Sequence, residues 1–474
     1  MRAPKDFVLP SKLFLEGTPL FKLPGHTEPK GPEPERKYKI PRKDRFLHVY
    51  IAGATRHGKS TYMEHMISED MAAGEGLTVI DPKGDLAGLV LPRVPENRKE
   101  DCIYIDIANP IPLNFMSWET ELERQTLMAD VFQTFKDFST QTSGDQWLSI
   151  LRQTIHTLLV SKAASFLDIY YFLARADRQR EILNIIERKN NPEYDDILDY
   201  WRTEFPHLKS PREGPILTRM AVFTTTPPLK TMLGTANAPF DIFEAMQQRK
   251  IIIANLYGVG EENGNLVAAL LTTRVQQAAF RRKTKKSRVD HFFYADEFED
   301  FQTSSFDKIL SKASGFGLYL TVANQGLYQL DTRIKQSVFT NVTGARIAFR
   351  LSHEDVTNWK YLLPSDPDSY GYIDPIKLAD LPPHWAMFKI GRNDAEIGHA
   401  PFPLPEPTDA DLARADYIRQ STLARYSTIR QIPLPACNPT QIRQDVRDDH
   451  LHTSAEKPEV EPGSAPGDIP PHQD

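Results

Sequence analysis

The sequence predicts an α/β fold in which a mainly parallel sheet carries helices on both faces and is interrupted by an inserted all-helical domain. Short apolar runs bounded by turn residues alternate with helix-compatible segments in two stretches, residues 46–114 and 248–402. Residues 115–247, between these stretches, show repeated helical spacing and almost no strand signal. A glycine-rich loop at residues 53–61 joins an apolar run to a helix. Such alternation is typical of a parallel sheet covered on both sides.

Composition places the chain among folded proteins of more than one domain. The 474 residues are enough for about two to four domains. With 57 Lys and Arg against 63 Asp and Glu, no global basicity indicates nucleic acid, so any polyanion site must be local. Cys102 and Cys437 lie far apart and outside metal-binding spacings, as in a reduced cytosolic chain. No membrane-length apolar run or signal peptide is evident, so we expect a cytoplasmic protein, recruited to the inner membrane only through a partner.

After an N-terminal segment, the sequence predicts a strand, a loop and a helix in that order. Residues 1–45 are rich in proline and charge and predict an N-terminal arm or edge strands, which the sequence does not distinguish. Residues 48–52 form an apolar run typical of a buried strand, and residues 62–68 are compatible with the helix after the loop. Two more buried strands are predicted at residues 77–81 and 103–106.

The second α/β stretch supplies the rest of the predicted sheet. Its strands are predicted at residues 250–255, 291–295, 318–322 and 345–349, with a final pair at 385–390 and 396–400. Helices are expected at residues 265–282 and 304–313. Residues 403–474 form a C-terminal extension, in which residues 408–429 are compatible with a helix. From about residue 448 the composition is typical of disorder.

The loop at residues 53–61 has the pattern G-x-x-x-x-G-K-[ST], which predicts a phosphate-binding loop. Its glycines let the backbone N–H groups face a polyphosphate, and the following helix N-terminus adds partial positive charge. Lys59 would reach the β- and γ-phosphates, and Ser60 would ligate Mg²⁺. An ordinary glycine-rich turn is the alternative, but a strand before it and a helix after it favour a nucleoside triphosphate. The predicted nucleotide-binding residues are Gly53, Ala54, Thr55, Arg56, His57, Gly58, Lys59, Ser60 and Thr61.

A second pattern supplies what hydrolysis requires beyond phosphate binding. The apolar strand at residues 291–295 ends in Asp296 and Glu297, at the carboxyl edge where ligands of open α/β sheets collect. Asp296 is predicted to hold Mg²⁺ through water, and Glu297 to activate the attacking water. A strand that ends in solvated acids is the alternative, which the phosphate loop in the same chain disfavours. The lack of an Asn-Lys-x-Asp guanine-reading motif favours ATP over GTP.

Other polar side chains also stand at the ends of predicted strands. Residues 81–85, Asp-Pro-Lys-Gly-Asp, follow the second predicted strand. Gln325 suits a sensor of the γ-phosphate or of the attacking water, and equally an amide that caps the next helix. Arg346 and Arg350 flank a short apolar segment. Either arginine would stabilise transition-state charge at a neighbouring subunit, or serve as a structural partner of a carboxylate.

Five segments, taken in order, resemble one family. They are residues 53–61, 79–85, 293–298, 320–325 and 341–350. This order is similar to that of type IV secretion coupling proteins, the conjugative DNA-transfer ATPases related to the HerA–FtsK class of hexameric DNA translocases. The resemblance covers roughly residues 45–400 and includes the helical insertion, which is similar in place to the all-alpha domain of coupling proteins.

The resemblance implies a P-loop, RecA-like ATPase that uses ATP and Mg²⁺, assembles as a homo-oligomer of the hexameric kind found in that family, and acts on DNA. It also implies a relaxase or secretion-channel partner. The chain departs from the family in three places. It shows no transmembrane helices, residues 56–57 read Arg-His where relatives carry Gly-Ser, and Ser314 stands where a finger arginine is expected. Because Ser314 replaces the expected arginine, a finger that acts at the nucleotide of a neighbouring subunit would have to be Arg346, Arg350 or Lys312.

The sequence is compatible with three functions. Residues 281–288 form the one dense basic cluster, which would bind DNA phosphates or simply match the dipole of a helix C-terminus. The first hypothesis is an ATP-driven DNA translocase that hydrolyses ATP between subunits of a ring. The second is a nucleotide-regulated recruitment protein that docks a relaxase or secretion partner without motor activity. A third is a defence-associated ATPase that partners a nuclease.

Overall fold

A nine-stranded sheet organises the part of the molecule that the structure describes. The computed structural model describes residues 7–8, 39–137, 146–208, 213–282, 287–359, 375–393 and 395–427. The strands of the large sheet are β3 (Val49–Ala52), β4 (Gly76–Asp81), β5 (Cys102–Asp106), β6 (Ile251–Asn255), β7 (His291–Ala295), β8 (Leu318–Asn324), β9 (Ala345–Ala348), β10 (Trp385–Ile390) and β11 (Glu396–His399). A separate antiparallel ribbon pairs β1 (Phe7–Val8) with β2 (Lys39–Ile40).

The strand order confirms the predicted α/β fold and places four strand ends together. The order across the sheet is β11-β10-β9-β3-β8-β7-β4-β6-β5. The strands from β9 to β5 run parallel, whereas β10 and β11 are antiparallel at one margin. In register, Ile51 of β3 lies opposite Ala323 of β8 and Ile347 of β9. Because parallel strands share one carboxyl edge, the loops after β3, β4, β7 and β8 meet there.

Helices cover both faces of the sheet. They are α1 (Arg42–Arg45), α2 (Lys59–Ala72), α3 (Asp85–Val90), α4 (Glu121–Asp137), α5 (Gln146–Ser161), α6 (Asp168–Ala174), α7 (Ala176–Glu187), α8 (Asp195–Asp199), α9 (Gly214–Thr225), α10 (Pro227–Leu233), α11 (Ile242–Gln247), α12 (Glu261–Phe280), α13 (Ser304–Lys312), α14 (Thr332–Asn341), α15 (His353–Trp359) and α16 (Asp409–Tyr426). Side chains alternate along β3: Val49 and Ile51 join a core with Tyr62 and Met66 of α2. Tyr50 joins the core on the opposite face.

The region between β5 and β6 contains helices α4 to α11 and no strand among its described residues. Its apolar side chains continue into the core of the sheet, since Val131 of α4 and Phe293 of β7 belong to one hydrophobic cluster. Asp130 of α4 is buried and accepts hydrogen bonds from Gln277 of α12 (3.0 Å) and from Lys308 of α13. The helical region therefore shares a core with the sheet, and its division into a separate domain stays a proposal.

Segments at both ends of the described chain attach to the sheet. Arg45 donates to both carboxylate oxygens of Asp70 (2.5 and 2.6 Å) and to the Tyr294 hydroxyl (2.8 Å). Helix α16 lies against β5, where the Tyr104 amide donates to the Thr422 hydroxyl (3.1 Å). The helix thereby covers an edge strand that would otherwise be open. None of the described helices combines the length and hydrophobicity of a membrane-spanning segment. The stretch predicted to be disordered lies outside the described residues.

Candidate nucleotide-binding site

The loop between β3 and α2 closes around the amine of Lys59. Its Nζ donates to the carbonyl oxygens of Gly53 (2.7 Å) and Ala54 (3.4 Å). Burial lowers the pKa of Lys59, although the carboxylate of Asp296 favours its charged form. Gly58 precedes α2 with a φ of 109°, a left-handed conformation that favours glycine. The loop therefore holds a positive charge at the N-terminus of a helix, where phosphates bind.

Backbone bonds fasten the start of this loop to the neighbouring strand ends. The Gly53 amide donates to the Asn324 carbonyl (3.2 Å), and the Ala54 amide donates to the Arg350 carbonyl (2.7 Å). A side chain at position 53 would place its Cβ 2.5 Å from the Cβ of Phe349, so only glycine fits there. The loop is consequently continuous with the carboxyl edge of the sheet.

The metal-side pair predicted from two distant segments lies in direct contact. The Ser60 hydroxyl donates to Oδ2 of Asp296 at 2.9 Å, across 236 residues of sequence. Burial raises the pKa of Asp296 to about 6, in spite of the Lys59 charge and the Ser60 hydrogen bond. A buried carboxylate of this kind gains more from a nearby cation than a solvated one does.

The residues present fit Mg²⁺ bound together with a nucleotide. Magnesium prefers hard oxygen ligands, keeps several waters and shares phosphate oxygens, so it needs few protein ligands. The hydroxyl of Ser60 and the buried carboxylate of Asp296 offer such oxygens side by side. Within the described ranges, no group of three or more His, Cys, Asp or Glu side chains is placed to hold a metal ion alone. The site therefore suits a metal that the nucleotide helps to bind.

Glu297, the predicted base, follows Asp296 in a strained conformation. Its φ of 49° and ψ of 44° are left-handed, which is unfavourable for a residue with a side chain. Oε2 of Glu297 accepts a hydrogen bond from Lys83 Nζ at 2.7 Å and one from Gln325 Nε2 at 3.4 Å. The backbone amide of Glu297 donates to Asp296 Oδ1 (3.0 Å). These contacts hold the carboxylate at the edge of the site.

Lys83 belongs to the Asp-Pro-Lys-Gly segment and was not predicted as a site residue. Asp81 fixes this segment at the end of β4, since its carboxylate accepts from the amides of Lys83 (3.0 Å) and Ala87 (2.8 Å). Burial opposes the charge of Lys83, but the hydrogen bond and charge of Glu297 outweigh it and raise the pKa of the amine. The sequence shows that residues 81–85 follow a strand. It does not show that Lys83 contacts Glu297, which lies 214 residues further along the chain.

A cavity of about 200 Å³ lies at this edge. Its lining residues are Thr55, Arg56, Gly58, Lys59, Ser60, Thr61, Asp81, Lys83, Asp85, Asp296, Glu297 and His384. The structure thus brings most of the predicted loop together with the predicted acidic pair. Gly53, Ala54 and His57 belong to the same loop without lining the cavity. Gln325 reaches the site only through its bond to Glu297.

His384 also lines the cavity and was not predicted as a site residue. Its amide donates to the His57 carbonyl (3.1 Å), and its ring lies against Gly58, where an added Cβ would approach Nδ1 to 3.2 Å. The residue precedes β10 with a positive φ of 68°. No spacing rule connects His384 to the loop in the sequence. The strand order brings the two together, because it puts the β9–β10 margin beside β3.

The two candidate arginines do not line the cavity of their own subunit. Arg346 is half-buried, and its Nη2 donates to the Phe339 carbonyl at 2.7 Å. Arg350 is exposed at the carboxyl edge, with Nε donating to the Ala379 carbonyl at 3.0 Å. Lys312 is exposed at the end of α13. A role for any of them at a neighbouring subunit stays a prediction.

The described part of the basic cluster is engaged in contacts within the subunit. Arg281 lies 3.3 Å from the Glu123 carboxylate, and Arg282 donates to the Val289 carbonyl at 2.6 Å. The guanidinium of Arg288 lies over the Phe316 ring at 5.5 Å. These contacts favour the structural interpretation of the three arginines over DNA binding. Residues 283–286 lie outside the described residues.

The strand order, the phosphate loop and the adjoining acidic strand end define a P-loop α/β protein. Comparison with solved structures shows the fold of the plasmid coupling protein TrwB. Its complex with the GTP analogue GDPNP matches with a TM-score of 0.58 at 14% identity, covering 79% of this chain and 90% of that chain. The complex with ADP and Mg²⁺ gives 0.58 at 14%, covering 79% and 89%. The complex with the ATP analogue ADPNP gives 0.57 at 14%, covering 78% and 89%.

At this identity the likeness is one of fold, and it confirms the fold implied by the resemblance to coupling proteins. The sequence itself matches no protein-family model. The search of curated proteins also finds no match.

Proposed function

We propose that this chain is an Mg²⁺-dependent ATPase that works in a ring of subunits to move or deliver DNA. The observation that carries the proposal is the 2.9 Å contact between Ser60 and Asp296 beside Lys59. This contact joins the phosphate loop to the acidic strand end. One small cavity therefore combines groups that bind a triphosphate with groups that would hydrolyse it.

The loop and the acidic pair have distinct roles in binding. Lys59 and the loop amides would bind the β- and γ-phosphates, while Ser60 and Asp296 would hold Mg²⁺. The metal, when bound, neutralises phosphate charge. TrwB, which has the same fold, has been solved with ADP and Mg²⁺ and with a non-hydrolysable ATP analogue. Those complexes support the same nucleotide and metal for this chain.

Glu297 would act as the base for the attacking water. Its Oε2 accepts from both Lys83 and Gln325, so Oε1 is the oxygen that would hold the water. Gln325 would report on the γ-phosphate through the same carboxylate. A positioned base of this kind contributes about 10²–10⁴-fold to a rate.

The motor part of the proposal is supported by fold and by the order of the sequence segments. TrwB is described as a bacterial conjugative coupling protein. A similar role for this chain would require DNA as the substrate, a hexameric ring, and a relaxase or secretion-channel partner. In such a ring, the exposed Arg350 at the sheet edge would reach the nucleotide of the next subunit and stabilise transition-state charge.

One observation favours a second candidate, the nucleotide-regulated recruitment protein. Lys83 lies 2.7 Å from Glu297 and neutralises the carboxylate proposed as the base. A subunit in this arrangement would bind a nucleotide and hydrolyse it slowly until a partner displaced the lysine. DNA-stimulated hydrolysis separates the two candidates, because a motor requires it and an adaptor does not.

The test is phosphate release from Mg²⁺-ATP, measured without DNA and with single- or double-stranded DNA. We expect the wild type to hydrolyse ATP faster with DNA, and Lys59→Ala to lose nucleotide binding. Lys230→Ala, which removes an exposed lysine of α10, is the matched control and should behave as wild type. Hydrolysis that ignores DNA would favour the adaptor. ATP affinity retained in Lys59→Ala would contradict the site itself.

A further inference from the structure

Aromatic side chains lie beside the phosphate loop at the antiparallel margin of the sheet. The His384 ring, which lines the cavity, is 6.2 Å from the His399 ring between centroids. His399 is 5.7 Å from the Trp385 ring and 4.8 Å from the Phe402 ring. The rings form a continuous series that begins at the phosphate loop and ends at Phe402.

Helix α2 borders the same series. The Nε2 of His65 donates to the Phe402 carbonyl at 2.7 Å. His65 lies one helical turn after Thr61, which lines the cavity next to the phosphate-binding residues. The Ala400 amide donates to the His384 carbonyl at 2.7 Å and fixes the spacing between the two ends of the hairpin. The series is therefore anchored both to the sheet and to the helix that carries Lys59.

The aromatic series and the acidic pair lie on opposite sides of β3. Asp296 and Glu297 follow β7, which lies two places from β3 on one side. The aromatic series flanks β10 and β11, which lie on the other side of β3. If the γ-phosphate meets the acidic pair, the nucleoside leaves the loop toward the aromatic side.

Phe402 has a degree of exposure that core packing does not explain. Its side chain is 44% exposed and tilts by 33° over the His399 ring. We propose that His384, His399 and Phe402 form a stacking surface for the nucleobase of the nucleotide whose phosphates occupy the loop. This inference rests on the proposed nucleotide binding and assigns the base end of that site.

The chemistry of the surface predicts little discrimination between purines. The surface consists of imidazole and phenyl rings, which stack on any base through its π-face. It offers no side-chain amide or carboxylate of the kind that reads a base edge by paired hydrogen bonds. We therefore expect the dissociation constants of Mg²⁺-ATP and Mg²⁺-GTP to agree within a few fold.

The test compares three ligands on the full chain by calorimetry: ATP, GTP and inorganic tripolyphosphate, each with Mg²⁺. Tripolyphosphate lacks a base and needs only the loop. Phe402→Ala should weaken the binding of ATP and of GTP by about tenfold and leave the affinity for tripolyphosphate unchanged. Phe402→Tyr, which keeps the ring, should retain affinity for all three. Leu412→Ala, which removes another exposed apolar side chain on α16, serves as the surface control.

Saturation-transfer NMR on the wild type gives a second measurement that needs no variant. Protons of the base should receive more saturation than those of the ribose. The stacking surface is overturned by equal affinities of the wild type for ATP and tripolyphosphate, by an unchanged ATP affinity in Phe402→Ala, or by weak saturation of the base. A wild type that binds neither ATP nor tripolyphosphate would instead contradict the proposed function.

Discussion

Glu297 shows at the residue scale how the site combines strain with charge. A left-handed conformation costs a residue with a side chain about 1–3 kcal/mol and persists only where its surroundings enforce it. Here the amide bond to Asp296 and the side-chain bond from Lys83 enforce it. A conformation maintained at such a cost indicates that the direction of the carboxylate matters. It turns Glu297 toward Lys83 and Gln325 at the cavity edge.

Glu297→Gln should separate binding from turnover. The amide keeps the size of the side chain but cannot accept a proton, so hydrolysis should fall by at least about 100-fold. Nucleotide affinity, measured by fluorescence titration, should change little because the loop is untouched. Asp300→Asn, which removes a neighbouring carboxylate 3.5 Å from Lys83, is the matched control. Normal hydrolysis in Glu297→Gln would show that another group is the base.

Asp296→Asn should change how stability depends on pH. Burial raises the pKa of Asp296 from its usual value of 3.8 to about 6. The nucleotide-free protein therefore gains stability from this group as the pH falls toward 4, and loses it as the pH rises through 6. The variant should melt higher than wild type at pH 7.5, with the difference vanishing near pH 4. Thermal melting from pH 4 to 8 checks this.

The same variant should respond less to ligand. Mg²⁺-ADP should raise the Tm of the wild type, because the metal favours the ionised carboxylate, and should raise that of Asp296→Asn less. A variant that is less stable than wild type at pH 7.5 without ligand would contradict the assigned cost of burying this carboxylate.

The residues that the sequence missed share one property. Lys83 and His384 reach the site only because strands distant in sequence lie side by side. Lys59, Ser60 and Asp296 could be predicted, because each stands at a fixed offset within a local pattern. A local pattern carries no information about the neighbour that folding places opposite it. The partner of Glu297 therefore required the structure.

Helix α16 illustrates the element scale, because it covers a margin of the sheet. Ile418 is fully buried in the core shared with Tyr104 of β5. Arg425 donates to the carbonyl oxygens of Glu100 (2.9 Å) and Cys102 (3.1 Å), next to the edge strand. Residues 408–429 are compatible with a helix in the sequence. The sequence did not show where this helix docks, because apolar spacing indicates which face of a helix is buried but not which element covers that face.

Ile418→Ala should therefore destabilise the protein by about 2–5 kcal/mol, the usual range for a large-to-small change in a core. Leu412→Ala on the same helix should cost less than about 0.5 kcal/mol, because that side chain is 48% exposed. Urea unfolding followed by circular dichroism measures both. Equal effects of the two substitutions would show that α16 is not held against the sheet.

At the scale of the whole molecule, the sequence predicted the sheet and the position of the helical region. Alternating apolar runs and helices are local signals, and the parallel order that they imply is confirmed by the topology. The antiparallel margin was predicted only as two strands. The shared core of sheet and helical region was not predicted, because hydrophobic periodicity does not distinguish a separate domain from one packed on its neighbour.

A ring can be tested by mixing subunits. Arg350→Ala and Lys59→Ala should each be inactive alone, since one lacks the proposed finger and the other the phosphate-binding amine. In a random 1:1 mixture, about one quarter of the interfaces would combine an intact loop with an intact arginine and regain hydrolysis. The same mixture made with Arg346→Ala tests the other candidate. Absence of recovery with both arginines, at every ratio, would argue against a site shared between subunits.

The buried carboxylate of Asp130 has a mechanical consequence. It ties α4 to α12 and α13 through Gln277 and Lys308, and α13 begins a few residues after Glu297. Because α4, α12 and α13 also share one hydrophobic core, we expect a shift of the acidic turn to be transmitted to α4 through these contacts. In the proposed ATPase, each round of nucleotide turnover would then displace the helical region between β5 and β6.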